Sequence, residues 1–322
     1  MGVDSFFKIK VSYPTGKKKN DFKTIAELGQ KISLKELKGE KICIDASYMI
    51  YNSILAVEHL NTLTDSEGRP TAHINTIFNK VIQLEEAGIE QIWIFDSPQP
   101  NEIKRVALEQ RSKRREESAR KNYKNNDKVQ FKLTGAVVEE IQFLLKQMGV
   151  MYMVAPPGVE AEQYGACLSK GSNRFCQYMI SGDSDVLCFG GNLLRISSRK
   201  SDTGKKKETI YKVYELDDVL HELNFNYDQF LQMCVLMGTD FAQGTEGIGP
   251  ARVVEKVRKD EYPLSPRQEK AIEYYKSDIT EKIGNAEIVE EPYNLEGLIS
   301  FLKERSFSEE RVRGRLKKYK VS

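Results

Sequence analysis

Short apolar runs alternate with longer segments of helical period along most of this chain. KICID (41–45) predicts a buried strand, and ASYMIYNSILAV after it spaces Met49, Ile50, Ile54 and Leu55 as one helix face. AHINTIFNKVIQLEEAG (72–88) predicts an amphipathic helix stopped by Gly88, and QIWIF (91–95) a second buried strand. A polar stretch from Ser97 to about Lys128 has few large apolar residues at any helical period. It is too long for an ordinary loop, which predicts an inserted helical element away from the core. The earlier pattern then resumes: VVEEIQFLLKQMG as a helix stopped by Gly149, MYMVA as a strand, VEAEQYGACLSKG as a helix, and QYMIS as a strand leading into GDSD. LLRIS (193–197) and TIYKVYE (209–215) predict two more strands around the turn SDTGKKKE. From Leu216 onward the pattern is helical, broken at Gly238, at GTEGIGP (244–250) and around Pro263–Pro266. Strands alternating with helices imply an α/β sheet.

Composition narrows this little. The 322 residues are 40% hydrophobic and 30% charged with a net charge of +2, which allows a substantial core in one large domain or two joined ones. Charge distribution says more. Residues 101–132 carry eleven Lys/Arg against five Asp/Glu, and residues 303–322 eight against three. Such strips suit phosphate, although solvated helix faces look the same. Five scattered cysteines without a CxxC pair read as reduced core residues, which excludes a disulfide framework or zinc site. No apolar run approaches membrane-spanning length, and Asp4, Lys8 and Lys10 break any signal-peptide core. The expectation is a soluble intracellular protein with no membrane partner. The runs KKK at 17–19 and 205–207 leave nucleus and a cytoplasmic, viral replication setting equally open.

The carboxylates carry the chemistry. Asp45 and Asp96 stand at the carboxyl ends of two strands, where open α/β sheets bind ligands. Glu160/Glu162 and Asp183/Asp185 are pairs at strand ends or helix starts, and Asp240 in LMGTDF is a further candidate. Taken singly, Asp183 or Glu160 is more simply a helix N-cap. Seven acids in one crevice would repel each other unless cations entered, and Mg²⁺ or Mn²⁺ takes carboxylate and water oxygens. Two such ions about 4 Å apart suit an in-line phosphoryl displacement.

IDASYMIY, WIFDSPQP, GVEAEQ, SGDSDVLCFG and LMGTDF…GIGPARVV occur in that order, and FSEERVRGRLKK follows. Together they resemble the flap endonucleases and related structure-specific 5′ nucleases of the XPG type. The resemblance runs from about Lys41 to the C-terminus, with MGVDSFFKI before it. It implies a PIN-like mixed, mainly parallel sheet between helices, with a helical arch inserted at about 97–132. One nuclease unit would span 1–322, with a metal-binding core over 1–237 and a helical duplex-binding region over 238–322. Asp45, Asp96, Glu160, Glu162, Asp183, Asp185 and Asp240 would hold two Mg²⁺ ions, with Mn²⁺ as a substitute. Lys104 and Arg111 would be the catalytic cations of the first arch helix. Seven residues apart, they share one helix face and could stabilise transition-state charge on a phosphate. Tyr51 would stack on an unpaired base beside the cut, or else serve in the core as Tyr48 could. Gly247, Gly249 and Arg252 of the helix–two-turn–helix element would grip duplex DNA, with K⁺ bridging the Gly247–Pro250 turn. The glycines admit phosphate to the main chain, and Pro250 in the first helical turn leaves the remaining N–H groups facing the anion. Gly2, Arg114 and Arg115 complete the DNA-contacting set, the two arginines being equally well read as solvated.

Departures accompany the likeness. The interval from Asp96 to Glu160 is shorter than in cellular flap endonucleases, and Ala251 stands where a lysine is expected. The C-terminal residues lack a sliding-clamp motif, and a monomer is expected. The implied activity is magnesium-dependent hydrolysis of DNA near single-strand/double-strand junctions in replication, repair or recombination. A four-way-junction resolvase or 5′ exonuclease on the same core is the nearest rival. A non-catalytic DNA-binding scaffold and a small-molecule phosphatase are rivals of other classes.

Overall fold

The computed structural model describes residues 6–12, 22–56, 63–99, 133–171, 174–200, 207–284, 286–317 and 319. The first half contains β1 (Lys10–Ser12), β2 (Phe22–Thr24), α1 (Ile25–Leu28), β3 (Gln30–Ile32), β4 (Lys41–Asp45), α2 (Ala46–Ala56), α3 (Ala72–Glu86), β5 (Glu90–Phe95), α4 (Gly135–Gln147), β6 (Met151–Val154) and α5 (Ala161–Ser169). The second contains β7 (Tyr178–Ile180), α6 (Asp185–Cys188), β8 (Leu193–Lys200), β9 (Lys207–Tyr214), α7 (Leu216–Leu223), α8 (Tyr227–Met237), α9 (Val253–Lys259), α10 (Pro266–Tyr275), α11 (Thr280–Ile283), β10 (Glu287–Val289), α12 (Leu295–Glu304) and α13 (Glu309–Leu316).

Eight strands form one mixed sheet in the order β10-β6-β5-β4-β7-β8-β9-β3. The central neighbours β6-β5-β4-β7-β8 are parallel; β10, β9 and β3 join antiparallel at the two flanks. Parallel strands covered on both faces need apolar residues at every position, which is why KICID and QIWIF read as runs. Alternate residues then serve opposite layers. Cys43, Ile92, Ile94, Met179 and Leu193 join one core with Tyr164, Phe230, Val253 and Tyr275 from α5, α8, α9 and α10. Ile42, Ile44, Trp93, Phe95 and Ile180 join the other with Ile50, Ile77, Leu144, Leu298 and Val312 from α2, α3, α4, α12 and α13.

From β4 the chain steps outward to β5 and β6, then returns to place β7 on the other side of β4. Winding therefore reverses between β4 and β7, and a crevice opens beyond their carboxyl ends. Asp45 ends β4, Asp96 follows β5, and Ser181-Gly182-Asp183 follows β7.

Two expectations need correction. The chain after Leu216 is not wholly helical: β10 pairs with β6 at the sheet's edge. It is three residues long and Ile288 is exposed, so it has no apolar alternation to detect. Pro250 also lies outside the helix it was expected to open. Residues 250–252 form a turn, and α9 begins at Val253 with Arg252 as its N-cap. No helix among the described residues is long and apolar enough to cross a membrane.

Candidate metal centre

Asp45 is the last residue of β4 and is buried. One carboxylate oxygen accepts the Tyr48 N–H at 2.8 Å and the other accepts the Ser181 hydroxyl at 2.9 Å. The Asp183 N–H in turn donates to Ser181 Oγ at 3.1 Å, so a single serine links the ends of β4 and β7. Burial, followed by the charges of Asp96 and Asp183, pushes the Asp45 carboxyl up to about 7.

Asp96 is exposed and accepts the Ser47 hydroxyl at 2.8 Å and the Ala161 N–H at 3.1 Å. The second bond brings Asp96 to the peptide between Glu160 and Glu162. Glu160 occupies the N-cap of α5 with extended backbone, yet its side chain makes no capping bond. The capping alternative for Glu160 therefore fails: a donor of the first helical turn is taken by Asp96 from another strand. Glu160 is buried and Glu162 half-buried.

Asp183 accepts the Asp185 N–H at 3.1 Å, while Ser184 is the N-cap of α6. Asp185 is buried and accepts the Tyr275 hydroxyl at 2.8 Å. Burial, then Asp183 and Asp240, raises its carboxyl well above the ordinary range. Asp240 is buried within the turn that follows α8. Gly238, at φ 92°, and Gly244 hold that turn closed: a Cβ on Gly238 would stand 2.8 Å from Gly244 N. Gly182 is equally constrained, because a Cβ there would stand 2.4 Å from the Tyr48 ring.

Hydrogen bonds and mutual repulsion thus connect Asp96, Asp45, Asp183, Asp185 and Asp240, with Glu160 and Glu162 flanking the Asp96 contact. Among the described residues no three acids stand at the spacing that ligates one ion. The donor chemistry nevertheless fits hard divalent cations: the ligand atoms are carboxylate oxygens, and acids whose protonation is favoured by burial and then by like-charged neighbours lack positive charge. Ser181, Thr239 and Tyr275 belong to this network and were not singled out from the sequence. Ser181 adjoins GDSD and was within reach of inspection, whereas Tyr275 lies on α10, distant in sequence from the acid it touches.

The residues expected to face DNA are placed unevenly. Tyr51 is half-buried on α2, and its hydroxyl accepts the Leu133 N–H at 3.4 Å, where the chain returns from the basic segment. Tyr48 is a core residue, its hydroxyl donating to Ile196 O at 3.3 Å. Gly247, at φ 79°, and Gly249 have no heavy atom within 4 Å of an added Cβ, so their main chain faces open space. Arg252 is exposed, but its guanidinium donates to Gly247 O at 2.9 Å and so braces the turn. Gly2, Lys104, Arg111, Arg114 and Arg115 lie outside the described residues.

Two family models match the chain: the XPG N-terminal domain over residues 22–118 and the XPG I-region over 149–240. Flap endonuclease 1 of Theileria parva is 33% identical over 317 residues, covering 87% of this chain; the chain spans 60% of that protein's length. Flap endonuclease 1 of Homo sapiens is 31% identical, covering 90% of this chain and 81% of its own length. That of Pyrococcus horikoshii is 33% identical, covering 90% and 91%. Among solved structures, flap endonuclease-1 from Methanococcus jannaschii superposes with a TM-score of 0.66 at 25% identity, covering 90% of this chain and 95% of that one. The catalytic core of Rad2 in complex with DNA substrate has the same fold, with a TM-score of 0.63 at 20% identity and coverage of 90% and 96%. An acid-lined sheet rim, matched family models over both halves of it, and relatives aligned along most of their length place this chain in the flap endonuclease family of XPG-type nucleases.

Proposed function

We propose that this protein is a divalent-cation-dependent, structure-specific 5′ nuclease that hydrolyses DNA phosphodiester bonds beside single-strand/double-strand junctions. The observation that carries the proposal is the pair of buried carboxylates, Asp45 and Asp185, whose protonation is favoured first by burial and then by acidic neighbours at the crevice of an α/β sheet. Asp45, Asp96, Glu160, Glu162, Asp183, Asp185 and Asp240 are the residues that would hold two Mg²⁺ ions, with Mn²⁺ as a substitute. When bound, such ions activate water and neutralise the charge that builds on a phosphodiester.

The chain's own residues divide the remaining work. Ser181 holds Asp45 and the Asp183 main chain in register, so two ligands from different strands keep a fixed separation. Ser47 and the Ala161 amide do the same for Asp96. Tyr51, beside the return of the basic segment, offers an aromatic face to an unpaired base; such stacking contributes about 1–3 kcal/mol without reading sequence. The open backbone at Gly247 and Gly249 suits close approach of duplex phosphates, with K⁺ as a bridging ion. Lys104 and Arg111 supply positive charge to the scissile phosphate in this reading, and the protein acts as a monomer.

The test combines Asp183→Asn with Asp185→Asn. Cleavage of a labelled flap substrate in Mg²⁺ should fall by orders of magnitude, while binding to the same junction in Ca²⁺ persists. Unchanged cleavage would refute the proposed chemistry. Mapped cut positions on a flap, a nicked duplex and a four-way junction, compared side by side, decide between flap, exonuclease and resolvase activity.

A further inference from the structure

α10 reaches across the candidate centre from the C-terminal part of the chain. Its N-terminal half holds the turn that carries Asp240. Arg267 donates to Phe241 O at 3.2 Å, and the buried Gln268 amide donates to Val235 O, Gln243 O and Thr245 Oγ1 at 3.1–3.2 Å. Its C-terminal end brings Tyr274 and Tyr275 to the two acid-bearing helices α5 and α6. The Tyr274 hydroxyl donates to Gln163 on α5 at 2.9 Å; the Tyr275 hydroxyl donates to Asp185 Oδ2 on α6 at 2.8 Å.

The rings are fixed independently of those bonds. Phe189, Phe241, Tyr274 and Tyr275 form an aromatic box with centroid separations from 4.7 to 6.4 Å. Phe241 directly follows Asp240, and Phe189 directly follows α6, so the box packs against both acid-bearing segments. Tyr275 is 2% exposed. A hydrogen-bond relay passes through it. The Phe241 and Ala242 amides donate to Thr239 Oγ1 at 3.2 Å, the Thr239 hydroxyl bonds Tyr275, and Tyr275 donates to Asp185. The relay starts at main-chain amides of the Asp240 turn and ends on the Asp185 carboxylate, so it joins two acid-bearing segments from different elements.

We infer that Tyr275 is a positioning residue of the nuclease centre: its hydroxyl sets the rotation of the Asp185 carboxylate for ion binding. A neutral donor suits this task, because a lysine or arginine at the same place would supply the charge that the ion must supply. Donors behind metal-ligating carboxylates fix their orientation, and their removal commonly costs 10–100-fold in ion affinity. α10 thereby ties the segment bearing the GIGP turn to the acids. The inference rests on the proposed reading of Asp185 as an ion ligand.

Tyr275→Phe keeps the ring in the box and removes only the relay. Mn²⁺ affinity of the full chain, followed by electron paramagnetic resonance, should weaken roughly 10-fold, and cleavage should return toward the wild-type rate at high Mg²⁺. Tyr274→Phe, which removes the neighbouring hydroxyl from the same box, should shift Mn²⁺ affinity less than about twofold by the same criterion. Melting of both variants in EDTA measures their packing cost apart from the ion. Unchanged Mn²⁺ affinity in Tyr275→Phe, or equal losses in the two variants, overturns the positioning role. Asp185→Asn separates the two layers of the argument: if it too binds Mn²⁺ like wild type, the ligand reading itself fails.

Discussion

Replacing Asp45 by asparagine should stabilise the metal-free protein while destroying its activity. The magnitude follows from the carboxyl's shift from 3.8 to about 7, caused first by burial and then by Asp96 and Asp183. The folded state therefore holds this proton more tightly than the unfolded chain. Stability contributed by the protonated acid is lost as pH rises from the unfolded value through the folded one, and the loss is complete above about pH 7. At about 1.4 kcal/mol per unit, the ionised Asp45 costs the apo protein on the order of 4 kcal/mol near pH 8. Asparagine carries no charge and can still accept from the Tyr48 N–H, while its amide reverses the bond to Ser181. Altered bonding offsets about 1–2 kcal/mol, leaving a net gain of roughly 2–3 kcal/mol. For a chain of this size that raises the melting temperature by roughly 3–4 °C. The assay is differential scanning calorimetry of both proteins in EDTA near pH 8 and again near pH 5, where the ionisation penalty falls to less than half. Millimolar Mg²⁺ should largely cancel the difference, since the wild type gains ligand-binding stabilisation of about 2.7 kcal/mol at a hundredfold excess over Kd. A variant no more stable than wild type in EDTA near pH 8, or equally favoured at both pH values, refutes the electrostatic reasoning.

Gly182→Ala should be destabilising and inactivating, because its Cβ would meet the Tyr48 ring at 2.4 Å and push the Asp183 turn off Ser181. Overpacking of this kind costs about 1–3 kcal/mol, readable as a shifted denaturant midpoint. His73 is buried, which lowers its affinity for a proton despite the Glu140 carboxylate at 2.7 Å. The unfolded chain protonates first, so stability should fall as pH drops below 6.5, and His73→Gln should flatten that slope in pH-dependent unfolding. Tyr51→Ala should slow single-turnover cleavage by roughly 5- to 150-fold, the equivalent of 1–3 kcal/mol of stacking, while Tyr51→Phe stays near wild type. Equal defects in the two variants would assign the role to the hydroxyl that meets Leu133.

Much of the site is legible in the amino-acid sequence. Parallel strands buried on both faces must be written as apolar runs, and a polar residue ending such a run marks the rim of the sheet. Asp45 after KICI and Asp96 after QIWIF were therefore visible from local chemistry alone. The elements that escaped were those whose existence depends on a distant neighbour. β10 is a strand only because β6 leaves an edge beside it, and its three residues, two of them exposed, are too few to carry a period of their own. Pro250 looked like a helix opener because its fixed φ suits that position. Its carbonyl instead accepts the Lys10 N–H at 3.0 Å, which ties the turn to the N-terminal strand before α9 can begin.

What the sequence by itself determined was the inventory: which segments alternate with period two or near four, which acids stand at their ends, and which ordered motifs belong to this nuclease family. Tertiary structure alone decided the pairings. Ser181 bridging two strands, Asp96 taking the first-turn amide of α5, Arg252 bracing its own turn and Tyr275 meeting Asp185 are contacts between chemically ordinary residues. The physical reason is range. Periodicity and capping act over a few residues and leave a local imprint, whereas burial drives remote segments together and only then selects which donor meets which carboxylate.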